Sequence, residues 1–308
     1  MSRGEGRRSR RVCLPLDGVL LLDKPVGYTS NQALQAAKRL LNACKAGHTG
    51  SLDPIATGLL PLCFGEATKL SQFLIDADKR YRAVFRLGIA TTTHDAEGAI
   101  VATRPVKLRR AEVETALRAF VGEIEQVPPM YSAIKLAGRP LYELARAGME
   151  VERSARRVTI HGIEVLALEG DRLEFEIDCS KGTYVRSLAH DLGERLGCGA
   201  HVAELRRLRV GALTVERAVS LAALEALPDV AARAERLLPP DEVLPTIPEV
   251  KLTALATHYL CQGQPVSARH GFAPGWVRLY DDGHHFLGIG QVLDDGRVAP
   301  RRLMTRKP

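Results

Sequence analysis

The segment from Gly47 to Gly58 constrains the fold more than any other part of the sequence. It lies between a helical pattern and an apolar run, and it contains His48, Asp53 and three glycines. The proline after Asp53 fixes the backbone, while glycine permits left-handed dihedral angles and the close approach of a large ligand. The pattern predicts a turn that presents Asp53 as a nucleophile or general base. An ordinary Asp-Pro turn without chemistry is the alternative interpretation.

Length and charge indicate a two-domain, mildly basic protein. The chain has 308 residues, 45% of them hydrophobic, which is enough for a substantial core. Its formal net charge is +7, but residues 1–11 contain five arginines and one glutamate. We therefore predict a basic disordered tail over residues 1–12. Outside this tail, nucleic-acid binding would depend on the basic clusters at 146–157, 206–209 and 301–307. The alternative for each cluster is an ordinary solvent-exposed charged surface.

Several classes of protein are disfavoured by what the sequence lacks. The N-terminus has no apolar stretch typical of a secretion signal, and no run approaches membrane-spanning length, so we expect a cytoplasmic protein without a membrane partner. The six cysteines lie far apart, without a Cys-x-x-Cys pair, so we expect reduced thiols and no metal site. No dinucleotide-binding or Walker-type glycine motif is present, which predicts chemistry without a cofactor.

Hydrophobic periodicity predicts strands and helices on both sides of the turn. We expect strands over residues 18–23, 59–64 and 80–88, and a hairpin of 158–168 with 172–179. Helices are expected over 68–75 and 110–121, and a further helix begins at Ser30 as its predicted N-cap. In the strand over 80–88, Tyr81 shares the apolar face with Phe85. The stretch 128–157, interrupted by proline and glycine, is typical of a mobile basic arm.

A second polar segment, residues 180–186, precedes a helical pattern that ends at Gly197. Thr183 is the predicted N-cap, and Arg186 falls in the first turn of this helix. A cation at the positive end of a helix dipole is unfavourable. We therefore expect an anionic partner beside Arg186, either a structural carboxylate or Asp53.

The C-terminal part of the chain has a different pattern. Prolines at positions 239, 240, 245 and 248 mark a linker, and the short apolar strands beyond it are separated by two Asp-Asp-Gly turns. We predict a small β-barrel over residues 249–308. The predicted architecture is α+β with an added β module.

Five motifs carry a resemblance that spans almost the whole chain. They are Gly18-Val-Leu-Leu-Leu-Asp-Lys-Pro25, Ala46-Gly-His-Thr-Gly-Ser-Leu-Asp-Pro54, Asp78-Lys-Arg-Tyr81, Cys179-Ser-Lys-Gly-Thr-Tyr-Val-Arg186 and Leu205-Arg-Arg-Leu208. In these motifs and their order, the chain resembles the TruB family of bacterial tRNA pseudouridine-55 synthases. Ser51 stands where relatives often carry alanine, and residues 221–248 follow the family pattern least. Neither departure touches the proposed site; they affect the position of the domain boundary and the C-terminal contacts.

The resemblance implies a fold and a reaction. The fold is a pseudouridine-synthase catalytic domain over residues 13–245, with a central mixed β-sheet, flanking helices and a thumb over 128–157, followed by a small PUA-like RNA-binding β-barrel over 249–308. The reaction is isomerisation of uridine 55 in the T-loop of tRNA: the base is flipped out, detached from its sugar, rotated and rejoined through C5. The resemblance implies binding of the T-arm and, through the PUA-like module, of the acceptor end, and its reaction agrees with the absence of cofactor motifs. We expect a monomer.

The resemblance also implies catalytic roles for three residues. Asp53 is the nucleophile, which adds either to the base or to the anomeric carbon of the sugar. Arg186 pairs with it and keeps it charged in a site that otherwise raises its pKa. Tyr81 stacks on the target base and helps to remove the C5 proton. Because a phenol with a reference pKa of about 10 is a poor base near neutrality, we favour stacking, with water or Asp53 as alternative proton acceptors.

Five further residues are given binding or supporting roles by the resemblance. Tyr184 and Leu205 line the uridine pocket, and His48 occupies the space that the flipped base leaves in the T-loop. Lys24 and Pro25 support the active-site turn. Without the family match, core packing would explain Tyr184 and Leu205 equally well, and His48 would be read as an ordinary surface residue.

Two other functions stay open at this point. One is a guide-dependent pseudouridine synthase subunit within a ribonucleoprotein, which the lack of long appended tails disfavours. The other is an RNA-binding or tRNA-folding protein whose catalytic residues are incidental.

Overall fold

The computed structural model describes residues 13–132, 134–136, 138–267 and 273–305. The predicted basic tail over 1–12 lies outside the described residues, as does the end of the third basic cluster. Among the described residues, no helix is long and apolar enough to cross a membrane.

A ten-stranded mixed sheet forms the larger part of the fold. Its central strands are the apolar runs of the sequence, which are buried on both faces because helices and loops cover them. In chain order the strands are β1 Gly18–Lys24, β2 Ala46–His48, β3 Ala56–Phe64, β4 Lys79–Leu87, β5 Gly122–Gln126, β6 Arg156–Glu169, β7 Arg172–Cys179, β8 Ala200–Val210, β9 Leu213–Thr214 and β10 Val219–Ser220. The predicted strands and the hairpin of β6 with β7 are confirmed.

The order of the strands brings distant motifs together. The sheet runs β10-β1-β3-β8-β4-β7-β6-β5, with β2 on β3 and β9 on β8. β8 lies parallel to β3 and antiparallel to β4, so that Leu205 pairs with Ala56 on one side and Ala83 on the other. Arg207 pairs likewise with Gly58 and Tyr81. The β3-β8-β4 junction therefore places the Asp53 turn next to Tyr81.

Helices cover the sheet; one begins at Arg110 as predicted, whereas the N-caps of two others differ from the prediction. They are α1 Ser30–Leu40, α2 Ser71–Asp76, α3 Arg110–Arg118, α4 Leu141–Arg146, α5 Val185–Arg195, α6 Leu221–Glu225 and α7 Val230–Ala234. The N-cap of α1 is Thr29, which forms a capping box with Gln32, and not Ser30. The N-cap of α5 is Tyr184, and not Thr183, because the Gln126 side chain accepts the hydrogen bond of the Tyr184 amide.

Two small ribbons project from the large sheet. Residues Ile89–Thr91 pair with Ile100–Thr103. Within the stretch predicted as a mobile basic arm, Lys135–Leu136 pair with Arg139–Pro140, and α4 follows directly. We call residues 128–157 the thumb.

The C-terminal module is a five-stranded sheet that also contains a helix. Its strands are β11 Glu249–Lys251, β12 Val266–Ser267, β13 Gly275–Tyr280, β14 Phe286–Val292 and β15 Arg297–Leu303, in the order β11-β13-β14-β15-β12. The helix α8 Ala254–Cys261 was not predicted. Trp276 packs edge-on against Phe73 of the large domain at 5.1 Å between ring centroids, and Lys69 Nζ donates to the Leu303 carbonyl. This arrangement is consistent with a PUA-like module docked on the catalytic domain.

The expectation that every cysteine is a reduced thiol was wrong. Cys13 and Cys44, 31 residues apart, form a disulfide. Backbone hydrogen bonds from the Leu14 amide to the Asn42 carbonyl and from the Cys44 amide to the Leu14 carbonyl bring the two segments side by side. The other four cysteines are free thiols.

Candidate active site

The turn that carries Asp53 is held from two directions. Lys24, fully buried at the end of β1, donates from Nζ to the carbonyls of Tyr28 (2.6 Å), Pro25 (3.0 Å) and Pro54 (3.4 Å). Ser30, in the first turn of α1, accepts a hydrogen bond from the Leu52 amide at 2.7 Å. Burial lowers the pKa of Lys24 to about 8, opposed by the nearby charge of Asp53. The turn is thus fixed on the residues immediately before and after Asp53.

Asp53 forms an ion pair with Arg186. Arg186 Nη2 donates to Asp53 Oδ1 at 3.0 Å, and Arg186 Nε lies 2.9 Å from Asp53 Oδ2. Arg186 is 4% exposed and also donates to the Tyr131 carbonyl at the base of the thumb, at 2.7 Å. Asp95 Oδ2 lies 3.6 Å from Arg186 Nε, the same nitrogen that contacts Asp53 Oδ2. The expected anionic partner of Arg186 is therefore Asp53, with Asp95 as a second carboxylate.

The surroundings of Asp53 act on its pKa in opposite directions. Burial raises the pKa of the Asp53 carboxyl, Arg186 lowers it by charge and hydrogen bonding, and the charge of Asp95 raises it. The net direction is upward. The Asp53 side chain nevertheless keeps 38% of its surface exposed, as expected for a carboxylate crowded by protein on most sides and open on one. Arg186 and, to a smaller extent, the charge of Lys24 favour the ionised form.

Tyr81 lies on β4 on the same face as Ala83 and Phe85, as predicted from the alternation. Its neighbours across the strands are Ile177 on β7 and Arg207 on β8. Burial raises the pKa of the Tyr81 phenol, and the positive charge of Arg207 opposes that shift. Tyr81 thus has an apolar neighbour, Ile177, on one side and a buried cation, Arg207, on the other.

Tyr184 and Leu205 lie close to the Asp53 turn. Leu205 is buried on β8, and Tyr184 is half-buried at the start of α5. The Gln126 side chain binds both the amide (3.0 Å) and the carbonyl (3.3 Å) of Tyr184, which fixes the entry to the helix. Burial raises the pKa of the Tyr184 phenol, and Asp53 and Arg186 are both close enough to affect it. Tyr184 is therefore near the Asp53–Arg186 pair, and Leu205 lies beside the first residue of the strand that follows the Asp53 turn.

His48 lies at the end of β2 and is half-buried. Burial and the charge of Arg207 both lower the pKa of His48, so its imidazole is neutral near pH 7. A neutral planar ring is suited to stacking on nucleobases. Pro25 follows Lys24 and contributes a carbonyl that Lys24 binds.

Three residues of the site were missed by the sequence argument. Asp95 lies in a polar loop, Gln126 ends a weakly apolar strand, and Arg207 lies in a cluster of arginines that was interpreted as a basic surface. Arg206 forms a two-pronged pair with Asp23 (2.9 and 2.8 Å), Arg209 pairs with Asp178, and Arg207 is buried. The cluster at 206–209 is therefore not a free cationic surface. Within the described part of the chain, no group of three His, Cys, Asp or Glu side chains could hold a metal ion.

Three family models match consecutive parts of the chain. Residues 38–185 match the TruB family pseudouridylate synthase N-terminal domain, and 186–244 match the tRNA pseudouridylate synthase B C-terminal domain. Residues 248–304 match the C-terminal domain of pseudouridine synthase II TruB. The chain belongs to the TruB family of pseudouridine synthases. The resemblance inferred from the motifs is confirmed.

Full-length relatives and solved structures agree with this. The tRNA pseudouridine synthase B of Aromatoleum aromaticum (strain DSM 19018 / LMG 30748 / EbN1) is 57% identical over 97% of this chain and 95% of its own length. That of Ectopseudomonas mendocina (strain ymp) is 55% identical over 96% and 97%. A chain in the crystal structure of a Cbf5-Nop10-Gar1 complex superimposes with a TM-score of 0.71 and 27% identity over 95% of this chain and 84% of its own. The pseudouridine-synthase fold with its mixed sheet is thereby confirmed.

Proposed function

We propose that this TruB-family protein isomerises uridine 55 in the T-loop of tRNA to pseudouridine. The observation that carries the proposal is the ion pair of Asp53 with the buried Arg186, on a turn whose neighbouring strand β8 pairs with the strand that carries Tyr81. A carboxylate that is paired with a buried arginine and open on one side is suited to attack a nucleoside.

In the proposed reaction the N1–C1′ bond breaks, a C5–C1′ bond forms, the C5 proton leaves and N1 takes up a proton. Asp53 provides the nucleophile for the covalent step, by addition to the base or to C1′. Arg186 holds both carboxylate oxygens and favours their charge. No atom is gained or lost overall, so the reaction needs no co-substrate.

The target base must leave the T-loop to reach Asp53, because its atoms are not accessible to the carboxylate while the base is stacked in the loop. Tyr81 stacks on the flipped base, and Tyr184 and Leu205 exclude water around it. His48, neutral near pH 7, fills the place of the base in the loop. Lys24 and Pro25 keep the turn in position and take no part in the chemistry.

Binding of the tRNA backbone falls to exposed cations. Arg156 and Arg157 lie at the end of the thumb, where β6 begins, and both are exposed. Their guanidinium groups are available for phosphate contacts, which supply most of the affinity of RNA-binding proteins. The C-terminal module extends the contact toward the acceptor end, and one chain binds one tRNA in the cytoplasm.

We favour a stand-alone enzyme over a ribonucleoprotein subunit. The chain is 57% identical to a full-length tRNA pseudouridine synthase B and 25% identical to a chain in an H/ACA RNP bound to a substrate RNA. The proposal of a tRNA-folding protein differs from ours only in whether Asp53 is needed.

The test is to incubate the purified protein with an unmodified tRNA transcript and map pseudouridine by chemical adduct formation and primer extension. We expect a stop at position 55 with the wild type, none with Asp53→Asn, and none on a transcript with cytidine at position 55. A stop elsewhere would refute the position, and a need for added guide RNA would favour the ribonucleoprotein subunit. If neither protein modifies tRNA but both refold it, the folding function would stand instead.

A further inference from the structure

Arg207 is a buried cation that none of the roles above uses. It is 1% exposed and has the largest side chain among the fully buried ones of the described residues. Buried charges are costly unless they are paired, and arginine carries five N–H donors that need acceptors. A buried arginine near the Asp53 turn therefore requires hydrogen-bond acceptors or an anionic partner.

The acceptors beside Arg207 do not satisfy its guanidinium group. Arg207 Nε donates to the Leu59 carbonyl at 2.7 Å. Arg207 Nη2 is buried and has no hydrogen-bond partner in the described part of the chain. No carboxylate of the described residues forms an ion pair with Arg207, whereas its neighbour Arg206 is paired with Asp23. The positive charge of Arg207 is therefore not neutralised by an ion pair with a described carboxylate, and it affects the pKa of neighbouring groups such as Tyr81.

The strand register directs this guanidinium toward the site. Arg207 pairs across β8 and β4 with Tyr81, and the side chains of directly opposed residues lie on the same face of a sheet. On the other side, Arg207 pairs with Gly58, where a Cβ atom would come within 2.3 Å of the Arg207 carbonyl oxygen. A Cβ atom on Gly50 would lie 4.0 Å from Arg207 Nη1. The group thus lies between the Asp53 turn and Tyr81.

The titratable and charged groups that face Tyr81 come from three elements. They are Arg207 on β8, Cys179 on β7 and Asp53 on the turn. Burial raises the pKa of the Cys179 thiol to about 12, so this thiol stays neutral. The charge of Asp53 raises the pKa of the Tyr81 phenol, and Arg207 is the largest influence that lowers it.

We propose that Arg207 is a positioning residue that stabilises the phenolate of Tyr81 and so allows Tyr81 to take the C5 proton. In this step the phenolate oxygen accepts the proton, the C5–H electron pair returns to the ring to restore the C5–C6 double bond, and N1 takes a proton from solvent. Tyr81 later releases its proton to solvent. Arg207 Nη2 donates to the phenolate, which gives this atom its missing acceptor. The inference rests on the proposed function, in which Tyr81 contacts the flipped base.

The test compares Arg207→Met with Arg206→Met. Arg206 is the adjacent residue of the same strand and carries the same charge, but it pairs with Asp23, so its variant controls for the lost charge. We would measure the single-turnover rate against pH, and titrate the phenol by NMR of protein labelled at the tyrosine Cζ carbon. The chain has seven tyrosines, and the Tyr81 signal is the one that Tyr81→Phe removes.

For Arg207→Met we expect the Tyr81 phenol pKa to rise by about one unit or more, with the rising limb of the rate profile moving to higher pH by the same amount. The rate near neutrality then falls about 10-fold or more and recovers at high pH. Arg206→Met should leave both curves unchanged. Two outcomes would overturn the inference. One is a rate that is lower at every pH while the rising limb of the pH profile stays in place, which would mean that Arg207 has only a structural role. The other is a change in the Tyr81 phenol pKa without a change in the position of that limb.

Two further measurements keep the test decisive. If Arg207→Met does not fold, Arg207→Lys is used, because it keeps the charge but loses the planar guanidinium group. A smaller shift of the rising limb of the rate profile supports the inference, and an unchanged position of that limb overturns it. If the wild type makes no pseudouridine at all, the proposed function fails, while the phenol titration still decides whether Arg207 stabilises the phenolate.

Discussion

Arginines occupy two contrasting regions of this molecule. Around the active site, Arg186 and Arg207 are almost completely buried and are fixed by carbonyls, by carboxylates or by the sheet itself. On the thumb, Arg156 and Arg157 are exposed, and Arg157 has only a loose contact with Glu123 at 3.5 Å. A buried guanidinium fixes the geometry and charge of its neighbours, whereas an exposed one attracts polyanions in a salt-dependent way. Variants of the two groups should therefore affect different steps.

Arg186→Lys should have the largest effect on the chemical step. Lysine keeps the positive charge but cannot hold both oxygens of Asp53 from one planar group. We expect the single-turnover rate at saturating tRNA to fall about 10²- to 10³-fold, with the Kd changed about threefold or less. Rapid-quench assays and filter binding separate the two quantities. An equally large loss of tRNA affinity would show that Arg186 contributes to tRNA binding, as the exposed arginines do, and would contradict this prediction.

Asp95→Asn should have the next largest effect. Asp95 is 3% exposed and lies 3.6 Å from Arg186 Nε, which also contacts Asp53. Without its charge, Arg186 is held less firmly and interacts with Asp53 alone, and we expect a rate loss of about 10-fold. The Kd for tRNA should stay unchanged in the same assays. A wild-type rate would mean that Asp53 alone orients Arg186.

Replacing Arg156 and Arg157 together by alanine should weaken tRNA binding about 10-fold and leave the rate at saturation unchanged. Each lost phosphate contact lowers the slope of log Kd against log salt by about 1. Arg109→Ala is the control, because Arg109 is exposed beside α3 and pairs locally with Glu112. An unchanged salt slope would remove the thumb from the tRNA-binding surface.

Lys24→Met should show a pH-dependent effect on stability. The pKa of Lys24 in the folded protein is about 8, below its value of 10.5 in the unfolded chain. Between these values the unfolded state binds more protons, so the contribution of Lys24 to stability rises with pH. The wild type should therefore gain stability relative to Lys24→Met from about pH 8 to pH 10.5, measured by denaturant unfolding. A constant difference would show that Lys24 carries no pKa shift.

Much of this fold could be predicted because local rules agree with the tertiary structure. The alternation in β4 placed Tyr81 on the inner face, and the helix-dipole argument required an anion at Arg186, which is Asp53. The cap of α1 was misplaced because the local Thr29-x-x-Gln32 capping box was overlooked, and the cap of α5 was misplaced because Gln126 on β5 holds the Tyr184 amide. Side-chain hydrogen bonds from distant strands leave no trace in a local pattern.

Other features depend on which segments become neighbours. The disulfide of Cys13 with Cys44 forms because two backbone segments run side by side, which spacing alone does not indicate. Helix α8 lies in a stretch whose turns suggested only strands. Arg207 was grouped with its basic neighbours because burial depends on β8 lying between β3 and β4.

The most direct test of the central claim is tritium release from a tRNA that carries [5-³H]uridine at position 55 only, with Asp53→Asn compared with the wild type. The account predicts about one tritium released per tRNA by the wild type, and none by the variant, which still binds tRNA because exposed arginines supply the affinity. Release by both proteins, or binding lost together with release, would contradict the assignment of chemistry to Asp53 and of affinity to the exposed cations.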